Sequence, residues 1–313
     1  MPTDSPRPII LDVDTGVDDA WALIYALRSP ALQMLGITTG YGNADVETTT
    51  RNTLLLTELL GSDVPVYRGS SEPLFRPWDG PVPAIHGVNG LGDAPLPPLS
   101  RHSEDSDAAA FIRHTVRALP GRVTLVTVAR LTNVARALLY DPALATLVER
   151  VICMGGAAFC PGNVSPTAEA NIWGDPEAAD LVFRSGIPIT MVGLDVTHKG
   201  RLYQRDLSAL DPALPYTALL RQATEFYIQA YIKDDPRNDG WCPLHDPLAV
   251  AVAEDPSLVR TERYPVRVEH SGTWTDGMTV VDARRGQTPT GVDVAVDLDV
   301  DRFMTLFRTR VGL

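Results

Sequence analysis

The sequence contains few cysteines and few lysines. Its three cysteines, Cys153, Cys160 and Cys242, are odd in number and form no CxxC motif, which argues against a disulfide framework and favours a reducing compartment. Only two of the 27 basic residues are lysines, and the arginines form no basic tract. We therefore expect no nucleic-acid partner.

Long apolar runs are also missing. No apolar stretch is long enough to cross a bilayer, and residues 1–8 contain no apolar core of a signal peptide. The sequence thus predicts a cytoplasmic protein without a membrane partner. The 44% content of hydrophobic residues predicts a sizeable core, and the formal net charge of -12 leaves an excess of acidic groups to be explained.

The first two thirds of the sequence alternate between short apolar runs and helical patterns. The predicted strands cover residues 9–13, 32–38, 64–67, 123–128, 151–154 and 189–192. The predicted helices cover residues 20–27, 46–60, 108–119, 134–139 and 176–183. Buried strands separated by helices predict an α/β fold, doubly wound and Rossmann-like, with a mostly parallel central sheet flanked by helices.

The last third of the sequence shows a different pattern. Helical patterns cover residues 214–232, 247–253 and 300–311. Short strand patterns cover residues 266–269, 278–281 and 292–296, and they predict a small antiparallel layer near the C-terminus. Because neither a linker nor a repeat interrupts the chain, we expect a single domain over residues 1–313.

Four carboxylates crowd the junction between the first strand and the first helix. Asp12, Asp14, Asp18 and Asp19 lie within eight positions, at the carboxyl end of a strand, where open α/β sheets bind ligands. Asp18 could simply cap the helix, but capping does not explain Asp12 and Asp14. Such a cluster needs a cation or protonation, and hard oxygen ligands favour calcium or magnesium over zinc.

Further polar clusters follow the other predicted strands. They lie at residues 42–43, 131–133, 162–163, 168–171, 175–179, 194–198 and 244–249. With the opening D-x-D-x-G-x-D-D-A and the segments H-G-x-x-G, L-T-N, M-G-G, L-D-V-T-H-K and H-D-P-L-A in this order, the chain resembles the nucleoside hydrolase family of the inosine-uridine preferring type. The resemblance extends from about residue 8 to residue 282.

The resemblance implies a metal centre and two catalytic residues. Asp14, Asp19 and Asp246 would bind a calcium ion, together with the backbone carbonyl of Thr132. Asp14 would also be the general base for a water activated by the metal. His245 would face the base of the substrate and assist its departure. Bound calcium accepts about 6–8 oxygen ligands, so one ion can hold carboxylates, sugar hydroxyls and water together.

The resemblance also implies a set of substrate-binding residues. The ribose would be held by Asp18, Asn43, Asn163, Glu169 and Asn171, with Met154 packed beneath it. Taken singly, each of these asparagines is more typical of a turn or a helix cap; their order along the chain favours ligand binding.

Three further residues could contact the base. His86 would lie on a loop over the site, although an exposed and idle histidine is an equal alternative. Tyr227 and Tyr231, four positions apart on one helix, could close over the base or form a packed aromatic stripe.

Two departures from the family pattern bear on this site. Ala129-Arg130 stands where the family often has Gly-Pro, which puts an arginine near the expected carbonyl ligand. Ala170 stands where many members carry an aromatic residue, and this change leaves the base preference open.

The sequence thus predicts a calcium-dependent nucleoside N-ribohydrolase, homodimeric or homotetrameric, that releases free base and ribose. Three alternatives remain at this point. They are a hydrolase of another ribosyl compound, a non-catalytic calcium-dependent nucleoside-binding protein, and a phosphatase of the haloacid-dehalogenase-like type. The phosphatase alternative fits the D-x-D-x-T segment but requires a distant lysine, and the chain has only Lys199 and Lys233.

Overall fold

An eight-stranded sheet forms the centre of the molecule. The computed structural model describes residues 5–284 and 291–313. The strands are β1 (Arg7–Val13), β2 (Leu32–Thr39), β3 (Val66–Arg68), β4 (Thr124–Thr127), β5 (Arg150–Met154), β6 (Ile189–Val192), β7 (Arg201–Tyr203), β8 (Trp241–Pro243), β9 (Val259–Tyr264), β10 (Val266–Val268), β11 (Thr279–Val281) and β12 (Val292–Leu298). The α-helices are α1 (Val17–Arg28), α2 (Val46–Leu59), α3 (Pro83–His86), α4 (Ala108–Ala118), α5 (Thr132–Tyr140), α6 (Ala170–Gly174), α7 (Pro176–Phe183), α8 (Leu194–Thr197), α9 (Thr217–Asp234), α10 (His245–Glu254) and α11 (Val300–Val311).

The sheet has the order β3-β2-β1-β4-β5-β6-β12-β9. All its neighbouring strands are parallel except β9, which pairs antiparallel with β12. The chain runs outward from β1 in one direction through β2 and β3, and in the other through β4, β5 and β6. The strand order therefore reverses between β1 and β4, and a crevice for ligands opens at such a switch point. The predicted doubly wound, mostly parallel sheet is confirmed.

Strand β1 is buried on both faces because both faces are covered by helices. Ile9 and Leu11 pack into a core that includes residues of α1, α10 and α11. Ile10 points the other way, into a core with residues of α4, α5 and α7. This alternation is the period-2 geometry of a strand, and it explains why β1 reads as a continuous apolar run.

The turn between β1 and α1 is fixed by one of its own carboxylates. Asp19 accepts the backbone N–H of Gly16 at 2.9 Å and that of Asp14 at 3.1 Å. Helix α1 therefore begins at Val17, three residues earlier than the apolar pattern predicts. As a result, Asp18 and Asp19 lie in its first turn, over the carboxyl edge of the sheet.

The small antiparallel layer is confirmed in part. Strands β10 and β11 form a two-stranded antiparallel sheet, and β7 and β8 form another. The assignment of residues 292–296 to this layer is wrong, because β12 joins the main sheet parallel to β6. Strand β9 was not predicted: it is an edge strand with an exposed middle, and its sequence lacks an apolar run.

The remaining boundaries differ from the predicted ones by a few residues. Strand β3 begins two residues late, at Val66, and α9 begins at Thr217 rather than three residues earlier. The short elements α3, α6 and α8 were not predicted, since one turn of helix has no apolar periodicity to detect. Within the described residues, no helix combines the length and apolarity that crossing a membrane requires.

Candidate active site

A cavity of about 230 Å³ opens at the carboxyl edge of the sheet, next to the switch point between β1 and β4. Its lining contains every residue that the sequence predicted for catalysis or substrate binding, namely Asp14, Asp18, Asn43, His86, Met154, Asn163, Glu169, Asn171, Tyr227, Tyr231 and His245. The predicted metal ligand Asp246 also lines it. Residues that are far apart in sequence thus meet at one edge because parallel strands end there together.

Three carboxylates form a compact group in this cavity. Asp18, Asp19 and Asp246 are buried, and one oxygen of each lies within 4.8 Å of the others. Asp14 lies beside this group, because the side-chain amide of Asn43 donates both to Asp19 Oδ2 at 3.0 Å and to Asp14 Oδ1 at 3.4 Å. The oxygen atom Asp18 Oδ1 is buried and has no hydrogen-bond partner among the described residues.

Burial makes the charged form of these carboxylates costly. Desolvation raises the pKa of Asp18 and that of Asp19 to about 7. Desolvation, reinforced by neighbouring carboxylates, also raises the pKa of Asp14 and that of Asp246 well above the ordinary value. Such a group is stable either partly protonated or with a cation at its centre. A hard divalent cation fits, since the donor set consists of oxygen atoms and one of them lacks a partner.

Two predicted metal ligands lie outside the cavity lining. Asp19 is fully buried behind the wall, where its oxygens also accept the backbone N–H groups of the β1–α1 turn. Thr132 is buried at the start of α5, and its hydroxyl donates to Asp175 Oδ2 at 2.7 Å. The hydroxyl of Thr132 is thus bonded to Asp175 and not to the group formed by Asp18, Asp19 and Asp246. Only its backbone carbonyl is left to act as the predicted metal ligand.

Glu169 combines a structural role with its position in the cavity wall. It is the N-cap of α6, where Oε1 accepts the N–H of Asn171 at 2.9 Å and Oε2 accepts that of Ile172 at 3.2 Å. Oε2 also accepts the N–H of Gly156 at 2.9 Å. These contacts fix the carboxylate at the end of β5, and desolvation raises its pKa.

The two predicted sugar-binding asparagines on this side are also held by the backbone. Asn163 Oδ1 accepts the N–H of Ala170 at 3.0 Å. Asn171 Nδ2 donates to the carbonyls of Val128, at 2.9 Å, and Met154, at 3.2 Å. The amide nitrogen of Asn163 and the amide oxygen of Asn171 therefore remain for a ligand, so turn chemistry and ligand binding are compatible here.

His86 is buried against the first turn of α1. Its Nδ1 accepts the N–H of Val17 at 3.2 Å, and desolvation lowers its pKa to about 3. The alternative of a solvent-exposed histidine is therefore wrong, and the role of His86 in the site stays a prediction. Gly87 follows with a φ of 77°, and a Cβ there would lie 2.6 Å from the backbone nitrogen of Asp93. This position requires glycine, and it fixes the loop that carries His86.

A chain of aromatic side chains forms one wall of the cavity. The rings of His86 and Tyr227 are 5.3 Å apart, and the hydroxyls of Tyr227 and Tyr231 are 3.3 Å apart. The hydroxyl of Tyr231 lies 3.1 Å from His245 Nε2, and the hydroxyl of Thr197 lies 2.7 Å from its Nδ1. Both ring nitrogens of His245 are thus engaged, and desolvation lowers its pKa well below the ordinary value.

Some functional neighbours were not predicted from the sequence. The additional cavity-lining residues are Val82, Ile85, Val128, Val164 and Asp234, and Ala170 also faces the cavity. His198, given no role from the sequence, has its ring 5.4 Å from that of His245. Arg130 is buried beside Asp14, at 3.5 Å from its carboxylate. Val82 and Ile85 belong to a segment, residues 73–98, that is rich in proline and glycine and has little periodicity, and long irregular segments inside a compact domain are usually functional.

The chain matches the family model described as inosine-uridine preferring nucleoside hydrolase over residues 9–305. It is 41% identical over 276 residues to Uridine nucleosidase 1 of Arabidopsis thaliana, which covers 88% of this chain and 81% of the relative. It is 40% identical over 308 residues to the pyrimidine-specific ribonucleoside hydrolase RihA of Salmonella paratyphi B, which covers 97% of this chain and 98% of the relative.

Solved structures agree with this match. The purine-preferring ribonucleoside hydrolase from Gardnerella vaginalis superposes with a TM-score of 0.90 at 42% identity, over 98% of each chain. A plant nucleoside hydrolase, the PpNRh1 enzyme, superposes with a TM-score of 0.91 at 36% identity, over 98% of this chain and 99% of the other. The likeness therefore extends over the whole sheet and over the loops that carry the cavity.

Proposed function

Because this chain belongs to the inosine-uridine preferring nucleoside hydrolase family, and is thus a hydrolase of ribonucleoside N-glycosyl bonds, we propose that it is a calcium-dependent nucleoside N-ribohydrolase that releases free base and ribose. The observation that carries this proposal is the compact group of Asp18, Asp19 and Asp246 beside a cavity that His245 also lines. The arrangement pairs a cation site with a leaving-group site.

The calcium ligands in this proposal are Asp14, Asp19, Asp246 and the carbonyl of Thr132. Asp18 is close enough to the other carboxylates to contribute as well. A bound divalent cation supplies positive charge that orients substrate oxygens and makes water more acidic. Support comes from the oxygen-only donor set and from the buried, unpartnered oxygen of Asp18.

Asp14 is the proposed general base. Its carboxylate is buried and lines the cavity beside the proposed cation, so it can accept the proton of the attacking water. Such assistance is typically worth about 10²–10⁴-fold in rate. As the bond to the base breaks, positive charge develops on the sugar. The neighbouring carboxylates of Asp18 and Glu169 favour that charge.

His245 is the proposed residue for activating the leaving base. Desolvation keeps its imidazole neutral at neutral pH. The hydroxyls of Tyr231 and Thr197 contact its two nitrogens. A proton taken up from solvent can be passed through this chain to the departing base as the bond breaks, and it replaces the proton that Asp14 takes from the attacking water and later releases to solvent. The aromatic wall excludes water from the leaving group at the same time.

The ribose is the proposed ligand of the remaining polar residues that line the cavity. Asp18, Asn43, Asn163, Glu169 and Asn171 offer acceptors and donors for its hydroxyls. Met154 packs beneath it as an apolar surface. The fixed backbone contacts of Asn163, Glu169 and Asn171 orient these groups before the substrate arrives, which lowers the entropic cost of binding.

Uridine and inosine are the proposed substrates in this cavity. His86 and His245 face the base side, and this pair favours the family's inosine-uridine pattern. Ala170 lines the cavity with a small side chain and so leaves room on that side. The named relatives include both a pyrimidine-specific and a purine-preferring enzyme, so the four common nucleosides need direct comparison.

Of the alternatives, hydrolysis of another ribosyl compound stays open, since it would use the same sugar site. The phosphatase alternative is set aside, because the family match covers the segment on which it rested. Lys199, one of its two candidate lysines, pairs with Asp297, and neither Lys199 nor Lys233 lines the cavity. The non-catalytic alternative is set aside because the family consists of hydrolases.

The assembly and compartment remain part of the proposal. We expect a cytoplasmic homodimer or homotetramer that serves in nucleoside salvage or catabolism. The three cysteines are free, which is compatible with a reducing compartment. Light scattering during size-exclusion chromatography measures the assembly directly.

The test of the reaction is ribose release from uridine, inosine, cytidine and adenosine, with and without EDTA. We expect release that EDTA abolishes and that calcium restores. Release that is unaffected by EDTA would contradict the calcium dependence alone. If none of the four nucleosides releases ribose, the substrate is instead another ribosyl compound.

A further inference from the structure

Arg130 is a buried basic residue in an acidic part of the molecule. Its side chain is 9% exposed, and its Nη1 lies 3.5 Å from Oδ2 of Asp14. It lies three residues after the end of β4, and Asp14 comes directly after β1, so the two residues meet at the switch point of the sheet. Within the described ranges, no other lysine or arginine forms an ion pair with a carboxylate of the cavity.

The slot that holds Arg130 is shaped for a guanidinium. Nη1 donates to the carbonyl of Tyr41 at 3.2 Å, and the guanidinium carbon lies 5.0 Å from the centre of the Tyr41 ring. Glycines form the other walls: a Cβ at Gly42 would overlap Nη1, and one at Gly174 would overlap Nε. Backbone from two different parts of the chain thus leaves space for this side chain, so the fold itself sets the position of the guanidinium.

The charge around this slot is strongly unbalanced. The carboxylates buried at this edge of the sheet include those of Asp12, Asp14, Asp18, Asp19, Glu169, Asp175 and Asp246. An arginine stays protonated even when it is buried. Since charges at such short range interact strongly in a protein interior, Arg130 acts as a permanent internal counter-ion for this group.

The two oxygens of Asp14 are not equivalent. Oδ2 accepts the N–H of Asn43 at 3.0 Å and lies beside Arg130, whereas Oδ1 receives only the longer contact from the Asn43 side chain, at 3.4 Å. The carboxylate is therefore held by one oxygen. Its other oxygen remains the one able to accept a proton.

We propose that Arg130 is a positioning residue that holds Asp14 by Oδ2 and, as a fixed counter-ion, weakens the affinity of the acidic group for its divalent cation. This proposal rests on the proposed function of the site. It also gives a role to Arg130 as a departure from the family pattern. This arginine lies between β4 and α5 in the chain, and its side chain occupies the slot formed at Tyr41, Gly42 and Gly174. Arg130 thus keeps the general base oriented for turnover, but it also makes the site bind its cation less tightly.

The test compares Arg130→Gln, Arg130→Lys and the wild type in two measurements. The first is calorimetric titration of the metal-stripped protein with Ca²⁺, which needs no turnover. The second is ribose release from uridine, resolved into kcat and KM. Arg136→Gln is the matched control, since it removes the same charge from the exposed face of α5, the helix that begins two residues after Arg130.

For Arg130→Gln we expect Ca²⁺ binding to tighten by at least about tenfold, because a nearby positive charge is removed. We expect kcat to fall by about 10²-fold, as for a misplaced catalytic group, with a smaller change in KM. Arg130→Lys should keep near-wild-type Ca²⁺ affinity but not restore kcat, since an ammonium cannot reproduce the planar contacts. Arg136→Gln should leave both quantities within about twofold.

Unchanged Ca²⁺ affinity and unchanged kcat in Arg130→Gln would overturn the proposal, and weaker Ca²⁺ binding would overturn its counter-ion part. If Arg130→Gln does not fold, Arg130→Lys decides, because a wild-type kcat in that variant would remove the positioning role. Failure of the proposed function has a different signature, namely a wild type that neither binds Ca²⁺ nor releases ribose.

Discussion

The two edges of the central sheet carry charge in opposite ways. At the amino edge, Asp293 lies between two arginines, with Arg263 Nε at 2.7 Å and Arg150 Nη1 at 3.1 Å. At the carboxyl edge, the buried carboxylates of the cavity form one ion pair within the described residues, that of Asp14 with Arg130. The amino edge is thus balanced by its own side chains, whereas the carboxyl edge is left with charge that only a cation, protons or a substrate can balance. The difference indicates where function lies without reference to any motif.

The largest effect should follow from the removal of a carboxylate at the carboxyl edge. In Asp14→Ala we expect kcat/KM for uridine to fall by about 10²–10⁴-fold, because the proposed general base is lost. The fold should persist, as judged by circular dichroism. The matched change at the amino edge, Asp293→Asn, should leave kcat/KM within about twofold. A near-wild-type rate in Asp14→Ala would show that Asp14 is not the base.

The next largest effect should come from His245, which lines the same cavity. His245→Ala should lower kcat/KM for uridine by about 10²-fold or more, since protonation of the leaving base is lost. A nitrophenyl riboside, whose leaving group departs without a proton, should lose much less. The measurement is the ratio of the two losses. Equal losses on both substrates would exclude His245 from leaving-group activation.

Calcium should stabilise the protein through the carboxyl edge alone. When the free concentration of a ligand is about 100 times its dissociation constant and the ligand binds only the folded state, it adds about 2.7 kcal/mol to the free energy of unfolding. Urea unfolding with calcium and with EDTA measures this difference. We expect Asp246→Asn to lose most of it and Asp293→Asn to keep it. An undiminished effect of calcium in Asp246→Asn would place the ion elsewhere.

The smallest effect concerns the amino edge itself. The guanidinium of Arg263, followed by that of Arg150, holds the pKa of Asp293 below its ordinary value. A depressed folded-state pKa stabilises the protein above the unfolded-state pKa of about 3.9, and this contribution is lost as the pH falls through the folded-state value. Because the arginines are partly exposed, Asp293→Asn should cost at most about 1 kcal/mol at pH 7.

Urea titrations of both proteins check this expectation. The stability difference should stay constant between pH 7 and about pH 5 and shrink below about pH 4. A difference that grows as the pH falls would mean that Asp293 is not stabilised in its charged form.

The sequence was most informative where one local rule decides the structure. Apolar runs predicted the parallel strands, and the carboxyl ends of those strands predicted which polar residues would meet. Asp14 and His245 lie 231 positions apart, yet both line the cavity as predicted. This success depends on parallel topology, because it brings the ends of successive strands to the same edge.

The sequence was least informative where pairing or packing is non-local. Residues 292–296 were correctly predicted as a strand, but their partner β6 is about a hundred positions away, and no local pattern encodes that choice. Strand β9 faces solvent along most of its length and so lacks an apolar signal. Arg130 was noticed as unusual but could not be placed, because its slot is formed by glycines that lie elsewhere in the sequence.

The contact between His86 and the first turn of α1 has one further consequence. Since Nδ1 accepts the N–H of Val17 and the ring is neutral at physiological pH, its single proton must reside on Nε2. The peptide backbone thereby selects the tautomer of a side chain that lines the cavity. His86 can offer a hydrogen bond through Nε2 but cannot receive one there. A nucleobase that presents a carbonyl oxygen to this ring should therefore be preferred to one that presents an amino group.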